Sequence, residues 1–220
     1  MNSRALAAEF IGSAILAATV IGSGIAAQNL SGGNIAIALL ANAIATGCIL
    51  YVLISVFAPL SGAHFNPAVS IAFALRGELS WLMCGSYAVA QIAGMIAGAW
   101  LAHAMFELPI LQTSTTVRSS AGMALGETVA AFGLVLTIFG LKEKHAPQIP
   151  AAVALYITSA YWFTSSTSFA NPAITIARSL SDTFAGIAPS SVPVFIVCQL
   201  AGMLAAVALA AWLWKNTGKP

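Results

Sequence analysis

Ser61-Gly-Ala-His-Phe-Asn-Pro-Ala-Val-Ser-Ile-Ala-Phe-Ala-Leu75 and Ser166-Thr-Ser-Phe-Ala-Asn-Pro-Ala-Ile-Thr-Ile-Ala-Arg-Ser-Leu180 are two versions of one stretch, 105 residues apart. In each, an Asn-Pro-Ala triplet opens an apolar segment of about 10 residues, which as a helix covers roughly 15 Å, half of a hydrocarbon core about 30 Å thick. Such a segment can enter a membrane but cannot cross it. The duplication extends outward from this stretch. Gln91-Ile-Ala-Gly-Met-Ile96 matches Gln199-Leu-Ala-Gly-Met-Leu204 at an offset of 108, and Glu9 matches Glu127. The chain reads as a single domain over 1–220 built from two repeats, approximately 1–105 and 120–220.

Around the half-spans lie six apolar runs with span composition: Leu6–Ala27, Ile35–Phe57, Leu82–His103, Ala121–Leu141, Pro150–Phe163 with its lead-in from Pro147, and Val192–Trp214. The expected fold is an all-α membrane protein of six transmembrane helices and two re-entrant half-helices. Composition agrees, with 60% apolar residues, 6% charged residues and a mean hydropathy of +0.93, which excludes a soluble globule. The net charge of +2 is too small and scattered for a nucleic-acid surface. Cys48, Cys84 and Cys198 stand alone in apolar runs, so no metal set and no cofactor are expected. No Ser, Cys and His grouping with the makings of a nucleophile and base occurs at span depth, which argues against an enzyme. The leader-like start, Arg4 followed by Ile11–Ala27, is read as a retained first span because similar runs follow it.

Three spans per repeat is an odd number, so the second repeat must sit upside down relative to the first, an arrangement that puts a pathway at the bilayer midplane. The basic residues Arg4, Arg76, the Lys142–Lys144 cluster and the Lys215–Lys219 tail fall on one side, predicting cytoplasmic termini and, in a bacterial cell, the inner membrane. Asn66 and Asn171 suit helix N-caps, with Pro67 and Pro172 at the first helical position ahead of Ala68 and Ala173. Inversion makes these two helix starts face each other. Each offers unpaired N–H groups and about half a positive charge, which disfavours cations and protons and suits a neutral hydroxylated solute.

This duplicated pattern resembles the major intrinsic protein family, the aquaporins and aquaglyceroporins, over essentially the whole chain. The resemblance implies an aquaporin-like bundle, usually a homotetramer with one pore per subunit in the lipid bilayer, acting as a passive channel for water, glycerol, urea or other small neutral solutes. It also implies a four-residue constriction outside the Asn pair. By spacing, three of its positions are Thr46, Ser168 and Ile174. The fourth is Tyr161 when counted from Pro150, favoured here, or Ser159 when counted back from Asn171. The position after the second motif, an Arg in most members, is Ile174, so the fixed cation of the filter is missing. A filter lacking Arg resembles bacterial members associated with arsenite and points to a wide, uncharged mouth. The alternatives are a channel mainly for water, or an ion-coupled carrier of inverted-repeat type.

Four further residues carry competing readings. Arg178, one turn outward from Ile174, either brings a positive charge to the mouth or pairs with Asp182. Glu9 and Glu127 are either proton carriers or buried acceptors that hold the half-span loops, and their matched positions favour the second. His64 either lines the cytoplasmic part of the pore, as the family resemblance implies, or simply packs within its loop. Its counterpart in the second repeat is Phe169, so no two-His metal site arises. His103 and His145 read as interfacial residues, and Gly94-Met-Ile-Ala-Gly98 as a helix-packing motif within or between subunits.

Overall fold

The computed structural model describes residues 3–143 and 145–214. Lys144 and the 215–219 tail, used above for orientation, lie outside the described residues. The described chain is helical, with no strand: α1 (Ser3–Leu30), α2 (Ile35–Ser61), α3 (Pro67–Leu75), α4 (Trp81–Met105), α5 (Ala121–Lys142), α6 (Ile149–Phe163), α7 (Pro172–Arg178) and α8 (Val192–Leu213). α3 and α7 are the half-helices, of 9 and 7 residues. Of the other six, α1, α2, α4, α5 and the segment ending in α8 are long and apolar enough to cross a membrane unaided. α6 has 15 residues, about 22 Å. It reaches span length only together with the 3₁₀ turn Ala146–Gln148 that precedes it, which adds about 6 Å.

Helix starts follow their capping residues. Asn34, Ser80 and Ser120 accept from backbone N–H groups at the heads of α2, α4 and α5. α2 continues past Pro59 to Ser61, four residues beyond the expected Phe57, because a proline in the last turn forfeits little. Gly62, left-handed at φ 85°, then closes the helix with its N–H on the Ala58 carbonyl. α7 stops at Arg178 rather than Leu180, where Ser179 and Leu180 turn back to bond the Ile176 and Ala177 carbonyls.

The core pairings repeat. α1 packs against α4 and α2, and in the second half α5 packs against α8 and α6. Both close contacts depend on glycine. A methyl group at Gly94 or Gly98 would overlap the carbonyls of Phe10 and Ala14 on α1, and one at Gly202 would overlap the carbonyl of Thr128 on α5. The Gly94–Gly98 motif therefore joins α4 to α1 within one subunit. On the same principle that buried polar groups must be paired, His103 is fully buried rather than interfacial: its ring nitrogens lie 2.9 Å from the Ile110 carbonyl and 2.9 Å from Ser181 Oγ. It ties the α4–α5 connection to the loop after α7. At the other end of the bundle Glu78 bonds Arg76 and Lys142, linking the turn after α3 to the end of α5.

Gly98→Ala should destabilise the detergent-solubilised protein by about 1–3 kcal/mol, since backbone must move to admit the methyl. Gly85→Ala, with nothing within 4 Å of the added carbon, should be close to neutral. Thermal unfolding of both variants checks the contrast.

Candidate functional site: a pore between two half-helices

The two half-helices meet head to head, and the joint is reciprocal. Asn66 Nδ2 donates to the Ala170 carbonyl and Asn171 Nδ2 donates to the Phe65 carbonyl, each at 2.8 Å. The amide oxygens face the other way as caps: Asn66 Oδ1 accepts from Ala68 N, and Asn171 Oδ1 accepts from Ala173 N and Ile174 N. The Asn side-chain amides are thus not wholly free donors. One N–H of each is committed across the repeat interface, leaving the second for the lumen.

The loops leading into the half-helices run through left-handed backbone at matched positions: Ala63 and Ser168 at φ 52° and 51°, Phe65 and Ala170 both at φ 49°. Non-glycine residues hold such geometry only when the surroundings fix it. Here two buried carboxylates do so. Glu9 Oε1 accepts from Ser61 Oγ and His64 N, while Oε2 accepts from Phe65 N and Gln91 Nε2. Glu127 accepts from Phe169 N, Ala170 N and Gln199 Nε2. Gln91 and Gln199 then reach on to Ser70 Oγ and Thr175 Oγ1 in the half-helices. In both carboxylates each oxygen is engaged. The sequence reading noted the paired glutamines without giving them a task, although their offset match was the available signal.

A cavity of ≈ 130 Å³ follows this joint through the bundle. One side is the loop backbone with Asn66 and Asn171, and the other is apolar, formed by residues such as Leu16, Val20, Leu134, Val153 and Ile157. A solute therefore meets a ladder of polar groups opposite a wall that gives it none, a combination suited to molecules with one hydroxylated edge. Thr46, Tyr161, Ser168, Ile174 and Arg178 line one end, and His64 and Phe73 line the other. Tyr161 Oη is 3.2 Å from Thr46 Oγ1, whereas Ser159 is exposed and bonds its own helix at the Leu155 carbonyl. Ser168 Oγ is buried without a hydrogen-bond partner, available to a molecule in the cavity. His64 lies 3.1 Å from Ser70 Oγ through Nδ1 and is stacked 4.5 Å from Phe73.

Arg178 does not pair with Asp182. The Asp182 carboxylate accepts instead from Thr115 N at 2.8 Å and Thr115 Oγ1 at 3.0 Å, because the α4–α5 connection folds back over the loop that follows α7. Arg178 turns inward, donates from Nε to the Ala185 carbonyl and lies with its guanidinium carbon 3.3 Å from the Phe169 ring centroid. Arg118, on that connection, approaches the same ring at 5.3 Å and donates to the Gly186 carbonyl at 2.9 Å. Burial lowers the Arg118 pKa from its ordinary value and the Glu127 carboxylate pulls it back up; the group stays charged. Sequence reading gave Arg118 no role, since nothing local marks a residue of a long connection as reaching the Phe169 ring.

Residues 1–164 match the family model described as Major intrinsic protein. The chain is 55% identical over 177 residues to an aquaglyceroporin, AqpS, of Rhizobium meliloti (strain 1021), a match covering 80% of this chain and 76% of that one. It is 34% identical over 107 residues to a glycerol uptake facilitator protein of Streptococcus pneumoniae, covering 43% of this chain and 46% of that one. The X-ray structure of the aquaglyceroporin from Plasmodium falciparum superposes with a TM-score of 0.71 at 21% identity, covering 95% of both chains, a likeness of fold.

Replacing Glu127 with Ala strands three buried donors, at about 1–3 kcal/mol each, and should lower thermal stability and remove solute flux together. Glu127→Gln, which keeps acceptor atoms, should lose less. Parallel unfolding and vesicle-swelling measurements on the two variants test this order.

Proposed function

Because the chain belongs to the major intrinsic protein family, whose members are channels and not enzymes, we propose that it is a passive, bidirectional pore for small neutral polyols and triols. Glycerol, urea and undissociated metalloid hydroxides such as arsenite pass through this pore along with water. The observation that supports the reading is the set of residues that line the cavity. Thr46, Tyr161, Ser168 and Ile174 border one cavity, and Ile174 stands directly after the second Asn-Pro-Ala motif. An aliphatic side chain there neither fills the mouth as a long cation does nor demands hydrogen bonds from the solute, so single-file water is not the largest traffic it admits. The polar edge of a triol runs along Ser168, Asn171 and Asn66 while its carbon or metalloid side slides on Val20, Val153 and Ile157.

An ion-coupled carrier needs a carboxylate free to take up and release its coupling ion. Glu9 and Glu127 have their oxygens engaged by loop N–H groups and glutamines, which supports a channel over a carrier. In the same reading the protein is an inner-membrane homotetramer with cytoplasmic termini and a pore in each subunit. His64 and Phe73 then border the cytoplasmic end of the pore, and Arg178 its outer mouth.

Stopped-flow swelling of reconstituted vesicles across glycerol, urea and arsenite is the direct test, with protonophore-insensitive flux expected for each. Ile174→Arg should cut glycerol and arsenite flux more than water flux, while Ile174→Val should change none. Equal losses for all solutes, or none, would remove Ile174 from the selective constriction. Asn171→Asp replaces the donor to Phe65 O with an acceptor, and should reduce flux severalfold or admit cations. Unchanged flux and selectivity in that variant would overturn the role given to the Asn pair.

A further inference from the structure

The two ends of the cavity are built alike. His64 stacks on Phe73 at one end, and at the other Phe169 stacks on Arg178. These are the same pair of repeat positions, since 169 and 178 each lie 105 beyond 64 and 73. The position that carries a neutral aromatic at the inner mouth carries a full positive charge at the outer one, and in both repeats it lines the lumen.

The chemistry around Arg178 is unusual for so buried a cation, which is 3% exposed. Its Nε bonds the Ala185 carbonyl, and among the described residues its Nη groups make no hydrogen bond and no carboxylate pairs with it. Asp182 is taken by Thr115, and Glu127 by Phe169, Ala170 and Gln199. Arg118 adds a second unpaired guanidinium at the same ring, and the two repel. Arg118 and Arg178 can be no farther apart than the sum of their distances to that ring. A buried charge is ordinarily neutralised by a counter-ion. Here the groups in direct contact are a π face and a backbone carbonyl, while the Glu127 carboxylate, already engaged by N–H donors, attracts the guanidinium without pairing with it. The difference matters, because a carboxylate partner would cancel the field in the lumen, whereas a ring and a carbonyl leave most of it in place.

We propose, on the reading of this chain as a channel, that Arg178 is the charge-selecting residue of the pore: seated on Phe169 and reinforced by Arg118, it supplies the fixed cation that Ile174 lacks, displaced one helical turn outward. A side chain held against the wall at that level leaves the aperture beside Ile174 wide for neutral triols. An approaching cation meets a full like charge before it reaches the partial charges of the two half-helix ends. The pore is thereby both broader than one crossed by an arginine and still closed to cations.

Vesicles reconstituted with the full chain allow glycerol swelling and potassium or chloride flux to be read on one preparation. In a KCl gradient the wild type should be electrically silent or favour chloride. Arg178→Gln should raise the ratio of potassium conductance to glycerol flux by at least about tenfold, whatever the change in glycerol swelling itself. Arg178→Lys should retain exclusion, Arg118→Gln should lose part of it, and Asp182→Asn should behave as wild type. A wild-type leak that favours potassium would overturn the proposal without any variant, and so decides the matter even where Arg178→Gln fails to insert. So would an Arg178→Gln protein that swells normally and still excludes potassium. A wild type giving no glycerol swelling above empty vesicles would overturn the channel reading itself, and this inference with it.

Discussion

Two hydrogen bonds, Asn66 Nδ2 to Ala170 O and Asn171 Nδ2 to Phe65 O, join two half-helices end to end in the middle of the bundle, and the remaining architecture serves to make that joint possible. Backbone that is neither helix nor closed sheet is tolerated at membrane depth only where protein or water satisfies its polar groups. Each loop that feeds a half-helix therefore needs its own acceptor. Glu9 and Glu127 provide one each, held from behind by Gln91 and Gln199. The glycines that let α4 ride on α1 and α8 on α5 bring those glutamines close enough to reach.

The duplication reaches down to single dihedrals and single hydrogen bonds, which makes the departures from it informative. Structural positions are kept in both repeats: Asn66 and Asn171, Glu9 and Glu127, Gln91 and Gln199, and the left-handed pairs at 63 and 168 and at 65 and 170. Lumen-facing positions diverge. Val69 corresponds to Ile174, His64 to Phe169, and Phe73 to Arg178. A shared scaffold imposes identical demands on the groups that hold it together. The two mouths face different compartments and carry no such demand, so they are free to differ in charge and width.

Burial of charge inside the bundle follows two rules. The carboxylate oxygens are engaged by loop N–H groups, glutamine amides and, at Glu9, the Ser61 hydroxyl, which holds them in place. Arg118 and Arg178 rest on an aromatic ring and carbonyl oxygens rather than on a carboxylate, and of the two Arg178 lines the cavity. Surface ion pairs such as Arg76–Glu78, partly exposed and 3.3 Å long, belong to neither class and contribute little.

Much of the molecule was legible in the sequence because its determinants are local or periodic. Run length separates spans from half-spans, Asn-Pro marks a helix start, and an odd number of spans per repeat forces inversion. These features predict six spans, two half-helices and the meeting of Asn66 with Asn171; among the described residues eight helices form and the two Asn residues meet, while five helices are long and apolar enough to span unaided and α6 is shorter. Position along the chain could not decide where side chains point once distant segments close over them. Tyr161 rather than Ser159 lines the cavity because of how α6 rotates against α2, which sets Tyr161 beside Thr46. His103 is buried because two loops, 7 and 78 residues away, cover it. Arg178 lies on Phe169 and not against Asp182 because the α4–α5 connection folds back and offers Thr115 to that carboxylate first. Spacing of four residues on one helix made the Arg178–Asp182 pair the natural local expectation. The competing partners came from 67 residues away for Asp182, and from the loop beyond α7 for Arg178. The half-helices were written in the sequence as local chemistry, while the seat of Arg178 on Phe169 was decided by which distant loops reached it and Asp182.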